Sequence, residues 1–128
     1  MKPRFLRFDE VLEIHRDQIE RYGGSPGIRD AALLRSALAM PRAGIAAGYL
    51  HVDLVEMAAA YAFHVVRNHP FIDGNKRVGA VAALIFLELN GVTVRIPEAD
   101  LFHLIMGVAS GEVTKSGVAE AFRKHCSS

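Results

Sequence analysis

The chain has 128 residues, and 15 Lys and Arg against 14 Asp and Glu give a formal net charge of +1 at pH 7 with His neutral. This balance argues against a polybasic protein that wraps nucleic acid, because no excess of cations is available to displace phosphate counterions. The length fits one domain, residues 1–128, and a hydrophobic content of 51% argues against disorder.

The single cysteine, Cys126, has no partner within the chain, which excludes a scaffold of intrachain disulfides and favours a reducing, cytoplasmic location. The first 17 residues carry charges throughout, so we expect no signal peptide. The apolar stretches are short and interrupted, and none is predicted to span a bilayer.

The first half of the chain begins with two predicted helices. Apolar residues at helical spacing between Phe8 and Tyr22 predict a first helix, with Asp9 as its cap and Gly23-Gly24 as its stop. A second helix is predicted over residues 31–40, capped by Asp30. The Gly- and Ala-rich segment 41–51 has no clear period, and we interpret it as an irregular connection.

The strongest apolar patterns predict a third and a fourth helix. The third follows the cap Asp53 and runs to about residue 68, and the alanines along its apolar stripe indicate close packing against another helix. The fourth is predicted over residues 75–90. Its inward-facing stripe comprises Val78, Val81, Ala82, Ile85, Phe86 and Leu89.

The rest of the chain completes a helical architecture. Residues 92–96 alternate between apolar and polar side chains, which indicates one short strand. Two more helices are predicted over residues 98–109 and 115–125. The sequence therefore predicts an all-α bundle of about six helices with at most one short strand or hairpin.

The segment HPFIDGNKR, residues 69–77, lies between the third and fourth predicted helices and has the features of a phosphate site. The start of a helix offers unpaired backbone N–H groups and the positive end of the helix dipole. Gly74 lets the backbone approach an anion closely. Lys76 adds a point charge and Arg77 a planar fork of donors.

Two further residues of this segment suggest chemistry at the phosphate site. Asp73 is a hard oxygen ligand that suits Mg²⁺ held on phosphates. His69 can exchange a proton near neutral pH. A phosphate cradle, a metal ligand and a general base are what phosphoryl or nucleotidyl transfer requires.

Each of these residues also has an ordinary structural interpretation. Asp, Gly and Asn are common in turns and at helix starts, and His69 is a candidate C-cap. Lys76 and Arg77 are candidates for solvated surface. Because all of them fall within nine residues at a predicted helix start, the functional interpretation is favoured.

This segment resembles the signature of the Fic/Doc family, whose Fic form is His-x-Phe-x-(Asp/Glu)-Gly-Asn-Gly-Arg-x-x-Arg. Lys76 stands where the Fic form has its second Gly, and Ala80 stands where it has its second Arg. Both departures are shared with the death-on-curing (Doc) toxins, whose form is His-x-Phe-x-Asp-x-Asn-Lys-Arg. Segments 21–27, 87–92 and 109–112 resemble Doc toxins as well.

The resemblance implies the toxin of a toxin–antitoxin pair, which uses Mg²⁺ and transfers the γ-phosphate of ATP to a Ser or Thr hydroxyl of a translation protein, elongation factor Tu. In that activity His69 would be the base, Asp73 would bind Mg²⁺ and Arg77 would hold a phosphate. Phe71 would anchor the loop in the core. The anion hole would be formed by Gly74, Asn75 and Lys76.

Two other functions stay open at this point. One is a Fic-type AMP-transferase, which would modify a protein hydroxyl and release pyrophosphate. Lys76 and Ala80 favour the kinase, because Lys76 crowds the backbone approach to phosphate and Ala80 removes a triphosphate contact. The other is a non-catalytic module that binds a nucleotide or a peptide, and His69 argues against it because binding alone needs no base.

The resemblance also implies a cognate antitoxin. The charge balance and the short apolar stretches predict no direct contact with nucleic acid or membrane. We expect the antitoxin's C-terminal segment, disordered alone, to fold as an amphipathic helix in a groove near the site. Ile45, Tyr49 and Leu50 are the exposed apolar candidates for that groove, and the alternative for each is a core position.

The remaining histidines show no pairing at metal-ligand spacing and are predicted to be structural or on the surface. His64 is a weaker candidate for the site, because it lies on the helix that leads to the motif. The others are His15, His51, His103 and His125.

Overall fold

Six helices form most of the computed structural model, which describes residues 2–45 and 48–127. They are α1 (Phe8–Tyr22), α2 (Ala31–Ala39), α3 (Leu54–Asn68), α4 (Asn75–Leu89), α5 (Glu98–Ser110) and α6 (Lys115–Lys124). The all-α class is therefore confirmed. The predicted helix boundaries agree with the structure to within one residue, except that the cap predicted at Asp9 places the start of α1 two residues too late.

Four two-residue strands form two antiparallel pairs. Segment 41–51, predicted to be irregular, contains β1 (Gly44–Ile45) paired with β2 (Gly48–Tyr49). The strand predicted near residues 92–96 is β3 (Thr93–Val94), which pairs with β4 (Cys126–Ser127) close to the end of the chain. The strand content thus exceeds the one strand or hairpin predicted, because β3 finds its partner more than thirty positions away, beyond the reach of local pattern.

Helix α3 lies at the centre of the bundle and contacts α2, α4, α5 and α6. Every residue from Met57 to Ala62 is buried, so the helix is enclosed on all sides over this stretch. A Cβ built on Gly79 of α4 would lie 3.1 Å from the Ala62 carbonyl oxygen and 2.8 Å from Cγ2 of Val66. The close helix packing predicted from the alanines is confirmed.

One position in the predicted inner face of α4 is wrong. Val78, Ala82 and Phe86 are buried, but Leu89 is 45% exposed. Leu89 is the last residue of α4, and the core-facing position in that turn belongs to Leu87, which is fully buried.

The predicted helix caps are confirmed in two cases and wrong in one. Asp30 accepts the Leu33 N–H at 3.0 Å, and Asp53 accepts the Glu56 N–H at 2.8 Å. Asp9 caps nothing, because the N-cap of α1 is Arg7 and Asp9 lies in the first helical turn, paired with the Arg7 side chain.

No helix within residues 2–45 and 48–127 has the length and apolar character needed to cross a membrane. The free thiol of Cys126 is exposed on β4.

Candidate active site

The HPFIDG loop, residues 69–74, joins the end of α3 to the start of α4 and is held by the loop that follows α1. The Pro70 carbonyl accepts the backbone N–H groups of Arg29 at 2.7 Å and Asp30 at 2.9 Å. The Ile72 N–H donates to the Gly27 carbonyl at 3.1 Å. These hydrogen bonds join the two loops and hold the motif loop in place.

Arg29 also stabilises the end of α3. Its Nε donates to the His69 carbonyl at 2.7 Å, and its Nη2 donates to the Asn68 carbonyl at 3.1 Å. A guanidinium at this position satisfies helix carbonyls that have no partner within the helix and complements the negative end of the dipole.

His69 is the C-cap of α3 and has a left-handed backbone, with φ 50° and ψ 54°. In the described part of the chain it is the one non-glycine residue with positive φ. Such a conformation costs about 1–3 kcal/mol and is typical of functional sites. The C-cap interpretation and the interpretation as a site residue are both consistent with this geometry, because the side chain is exposed and lines a pocket.

Asn75 lies beside His69 and is 4% exposed. Its Oδ1 accepts the Phe71 N–H at 2.9 Å, and its Nδ2 donates to the Phe71 carbonyl at 2.9 Å. The same Nδ2 lies 3.1 Å from Nδ1 of His69. The polar atoms of the Asn75 amide therefore already have partners in the loop and in His69. Only the backbone N–H of Asn75 is left to bind an anion.

Phe71 is fully buried, as an anchor of the loop must be. Its ring stacks on His15 of α1, with centroids 4.0 Å apart and planes 5° apart. Nε2 of His15 donates to the Asp73 carbonyl at 2.9 Å. His15 is 6% exposed, which agrees with the structural role predicted as one alternative for it. Its contact with the motif was not predicted from the sequence, because it lies 58 positions from Asp73.

Asp73 carries an exposed carboxylate that two backbone N–H groups orient. Oδ2 accepts from Ser25 at 3.0 Å, and Oδ1 accepts from Gly74 at 2.8 Å. The Ser25 bond, followed by the Gly74 bond, holds the pKa of Asp73 below its usual value. The group is therefore a carboxylate at neutral pH with lone pairs left over.

This carboxylate fits the chemistry of a Mg²⁺ ligand. Mg²⁺ usually binds one or two carboxylates together with substrate phosphates, and it keeps several waters. Over the described residues no cluster of three or more His, Cys, Asp or Glu is arranged to hold a metal. Asp73 is therefore a residue that could hold Mg²⁺ together with phosphate oxygens, and Glu98 is a second carboxylate that lines the same pocket.

The N-terminus of α4 begins at Gly74 (φ 81°, ψ 11°) and has no side-chain cap. In contrast, α2, α3 and α6 are capped by the side chains of Asp30, Asp53 and Thr114. The first-turn N–H groups of α4 therefore lack the side-chain acceptor that these helices have, and an anion can take that position.

The two basic residues of the motif are placed differently. Lys76 is exposed, whereas Arg77 is half-buried and bound to the end of α1. Its Nη2 donates to the Gly23 carbonyl at 2.9 Å, and its guanidinium lies over the Tyr22 ring, 5.8 Å from the centroid. Arg77 can hold a phosphate only through the N–H groups that these contacts leave free.

The motif lines one side of a pocket of about 450 Å³, a volume typical of small-molecule sites. Helix α5 supplies the opposite side, which sequence reasoning did not predict. Phe102 is 60% exposed and Met106 is 41% exposed on that side. The α5 residues that line the pocket are Glu98, Leu101, Phe102, Ile105 and Met106.

The structure does not bring the remaining candidates to this pocket. His64 accepts a hydrogen bond from Lys115 of α6 at 3.2 Å and lines no part of it. Tyr49 and Leu50 are 41% and 64% exposed, so the core alternative is wrong for both. They precede α3, whereas His69 follows it, about 20 Å further along. These two candidates therefore lie at the other end of α3 from His69, and the Ile45 side chain lies outside the described residues.

A helical bundle with an HPFIDGNKR loop at an uncapped helix N-terminus defines a Fic/Doc-type protein. The family model described as the Fic/DOC family matches residues 5–87, and the chain belongs to this family.

Two curated relatives are similar over different lengths. "Protein kinase doc" of Escherichia phage P1 is 36% identical over 121 residues, which cover 94% of each chain. "Toxin Doc" of Mycolicibacterium smegmatis is 41% identical over 71 residues, which cover 56% of this chain and 55% of the relative.

Proposed function

We propose that this chain is the toxin of a toxin–antitoxin pair and a protein kinase that transfers the γ-phosphate of ATP to a Ser or Thr hydroxyl. The proposed target is a translation protein, elongation factor Tu, whose modification would stop translation in the cytoplasm. The names of the two relatives, a protein kinase and a toxin, support this choice.

The observation that carries the proposal is the juxtaposition of His69 with the uncapped N-terminus of α4 in one pocket. The first-turn N–H groups and the Lys76 charge would bind the transferring phosphate and stabilise the charge that develops on it. His69 would take the proton of the attacking hydroxyl. A simple binding site would need the cradle but not the histidine.

The proposal includes Mg²⁺ and ATP. Asp73 would hold the ion, which supplies neutralisation of the phosphate charge when it is bound. The apolar side of the pocket, on α5, leaves room for the rest of the nucleotide. Ala80, which lines the pocket at 7% exposure, offers no cation to the triphosphate. This supports γ-phosphate transfer over AMP transfer.

Labelled ATP tests the reaction type directly. The purified protein is incubated with Mg²⁺ and a cell extract, once with γ-labelled and once with α-labelled ATP. We expect protein-bound label from γ-labelled ATP only. Label retained from α-labelled ATP would mean AMP transfer, and no label from either would mean a non-catalytic module.

An antitoxin partner is also part of the proposal, and a groove of about 420 Å³ suits it. The groove lies between the N-terminal end of α1 and the C-terminal end of α2, next to segment 41–51. Its apolar floor is rimmed by Arg7, Arg35 and Arg42. An amphipathic helix with an acidic face would match both features.

This groove and the pocket are at opposite ends of α1, because Gly23 and Gly24 at the C-terminal end contact the motif. An antitoxin bound in this groove would therefore not displace ATP from the pocket. We expect Arg35→Glu with Arg42→Glu to weaken antitoxin binding at least ten-fold, without loss of phosphate transfer. Arg16→Glu, on α1 outside the groove, is the control, and equal loss in both variants would reject this surface.

A further inference from the structure

We propose that Asn75 fixes the protonation site of His69: in the free protein the neutral ring carries its proton on Nε2, and Nδ1 is an acceptor. Asn75 is then a positioning residue that sets which nitrogen of the proposed base carries the proton. The catalytic consequence of this tautomer rests on the proposed function, but the tautomer itself can be tested without measuring activity.

The first step is the orientation of the Asn75 amide, which two backbone groups of Phe71 determine. Oδ1 faces the Phe71 N–H and Nδ2 faces the Phe71 carbonyl, both at 2.9 Å. Exchanging the two atoms would oppose an amide nitrogen to an N–H and an oxygen to a carbonyl. Both contacts would then be repulsive, so only the observed orientation is compatible with the loop.

The second step is the contact with His69. Nδ2 of Asn75 lies 3.1 Å from Nδ1 of His69, and an amide nitrogen donates but never accepts. Nδ1 must therefore present its lone pair. A neutral imidazole has one proton, so that proton is on Nε2.

The consequence for catalysis follows from counting protons. To take a hydroxyl proton, Nε2 needs a lone pair, so the ring's own proton must first be on Nδ1. After transfer, the imidazolium carries a proton on both nitrogens, and its Nδ1–H opposes the Asn75 N–H. The contact between Asn75 and Nδ1 must therefore open before or during the transfer step.

The size of the preference follows from one hydrogen bond of ordinary strength. Such a bond favours the Nε2–H form by roughly five-fold over the Nδ1–H form. The base-competent form is then a minor species of the free protein, and the rate of any step that needs it falls by the same factor.

Nitrogen NMR of the free, full-length protein labelled with ¹⁵N-histidine tests the assignment. At a pH where the rings are neutral, the shifts of Nδ1 and Nε2 report which atom carries the proton. The His69 signals are identified by their loss in His69→Ala. We expect the Nε2–H form, and a dominant Nδ1–H form would overturn the proposal.

Two other histidines are internal controls with opposite expectations. His15 donates through Nε2 to the Asp73 carbonyl, so it should also be the Nε2–H form. Nε2 of His64 accepts from the Lys115 ammonium, so His64 should be the Nδ1–H form. One spectrum therefore contains a reference signal for the Nε2–H form and a reference signal for the Nδ1–H form.

The variant Asn75→Asp tests whether Asn75 causes the preference. Its carboxylate can accept the Phe71 N–H with one oxygen and face Nδ1 with the other, so the proton of His69 should move to Nδ1. The second oxygen also opposes the Phe71 carbonyl, which destabilises the loop of this variant. Persistence of the Nε2–H form, with the His15 and His64 signals unchanged, would overturn the role of Asn75. If the variant fails to fold, the wild-type spectrum still decides. Absence of phosphate transfer alone would reject the proposed function and leave the tautomer assignment standing.

Discussion

At the residue scale, His69 carries the proposed chemistry. We expect His69→Ala to reduce the transfer rate by about 10²- to 10⁴-fold, because it removes the base while the exposed side chain contributes little to packing. His103→Ala, an exposed histidine outside the pocket, is the matched control. Initial rates and circular dichroism of both variants measure the effect, and a near wild-type rate in His69→Ala would exclude a base at this position.

Asp73 is the second residue whose role can be isolated. Asp73→Asn keeps the size and one acceptor oxygen but removes the charge, so we expect on the order of 10²-fold loss of transfer and a higher Mg²⁺ requirement. A Mg²⁺ titration of the rate measures both. Asp100→Asn, exposed on α5 outside the pocket, should behave as wild type, and full activity of either protein in EDTA would contradict a metal requirement.

The residues of the motif could be predicted from sequence because they are adjacent in the chain. The residues that hold the motif in place from elsewhere in the chain could not be predicted. His15 and Arg29 contact the motif from segments about 40 to 60 positions away, and neither belongs to a recognisable pattern. The roles of the motif residues themselves stay predictions, although the structure brings all of them to one pocket or, for Phe71, beneath it.

At the element scale, the loop that follows α1 positions Asp73. A Cβ on Gly24 (φ +116°) would lie 2.6 Å from Oδ2 of Asp73, whereas a Cβ on Gly23 (φ +82°) would meet nothing within 4 Å. Both glycines have positive φ, so alanine strains the backbone at either position. We expect only Gly24→Ala to displace the carboxylate and raise the Mg²⁺ requirement.

The comparison of Gly24→Ala with Gly23→Ala therefore separates crowding from strain. Thermal unfolding measures the strain, which should be of similar size in the two variants. The Mg²⁺ dependence of the transfer rate measures the crowding. Equal Mg²⁺ dependence in both variants would show that the position of Gly24 is not needed for Asp73.

Helix positions were predictable because apolar periodicity and caps such as Asp30 and Asp53 are local signals. The errors at Asp9 and Leu89 arise at helix ends, where neighbouring contacts decide. Arg7, bound to Asp9 and Glu10, takes the N-cap position. Leu89 follows the apolar pattern but lies where α4 emerges from the core.

At the scale of the whole molecule, the interface between α3 and α6 makes stability depend on pH. Burial, and then the Lys115 charge, lowers the pKa of His64 from its usual 6.5 to about 4. Burial lowers the pKa of His51 as well. Between pH 6.5 and 4 these histidines bind protons in the unfolded chain but not in the folded protein. The free energy of unfolding therefore falls as the pH falls.

We expect His64 to contribute about 1–2 kcal/mol to this loss, after allowance for solvent screening. Urea unfolding at pH 7 and at pH 4.5 measures it. His64→Gln, which is neutral at every pH, should flatten the dependence, whereas His103→Gln should not. An unchanged pH dependence in His64→Gln would assign the loss to other groups.

The pocket is a property of the whole bundle, which limits what the sequence could predict about it. Its motif side is continuous in the chain, but its apolar side comes from α5, more than 20 positions later. Nothing in the periodicity of α5 distinguishes the exposed Phe102 and Met106 from ordinary surface residues. That residues 1–128 form one domain also stays a prediction.

The proposed reaction is the transfer of a phosphate to a protein hydroxyl in the His69 pocket. The most direct test is intact-protein mass spectrometry of purified elongation factor Tu after incubation with this protein, ATP and Mg²⁺. We predict a mass increase of one phosphate group with the wild-type protein and none with His69→Ala. An increase of one AMP group, or an unmodified target under conditions where wild type is folded, would contradict the account.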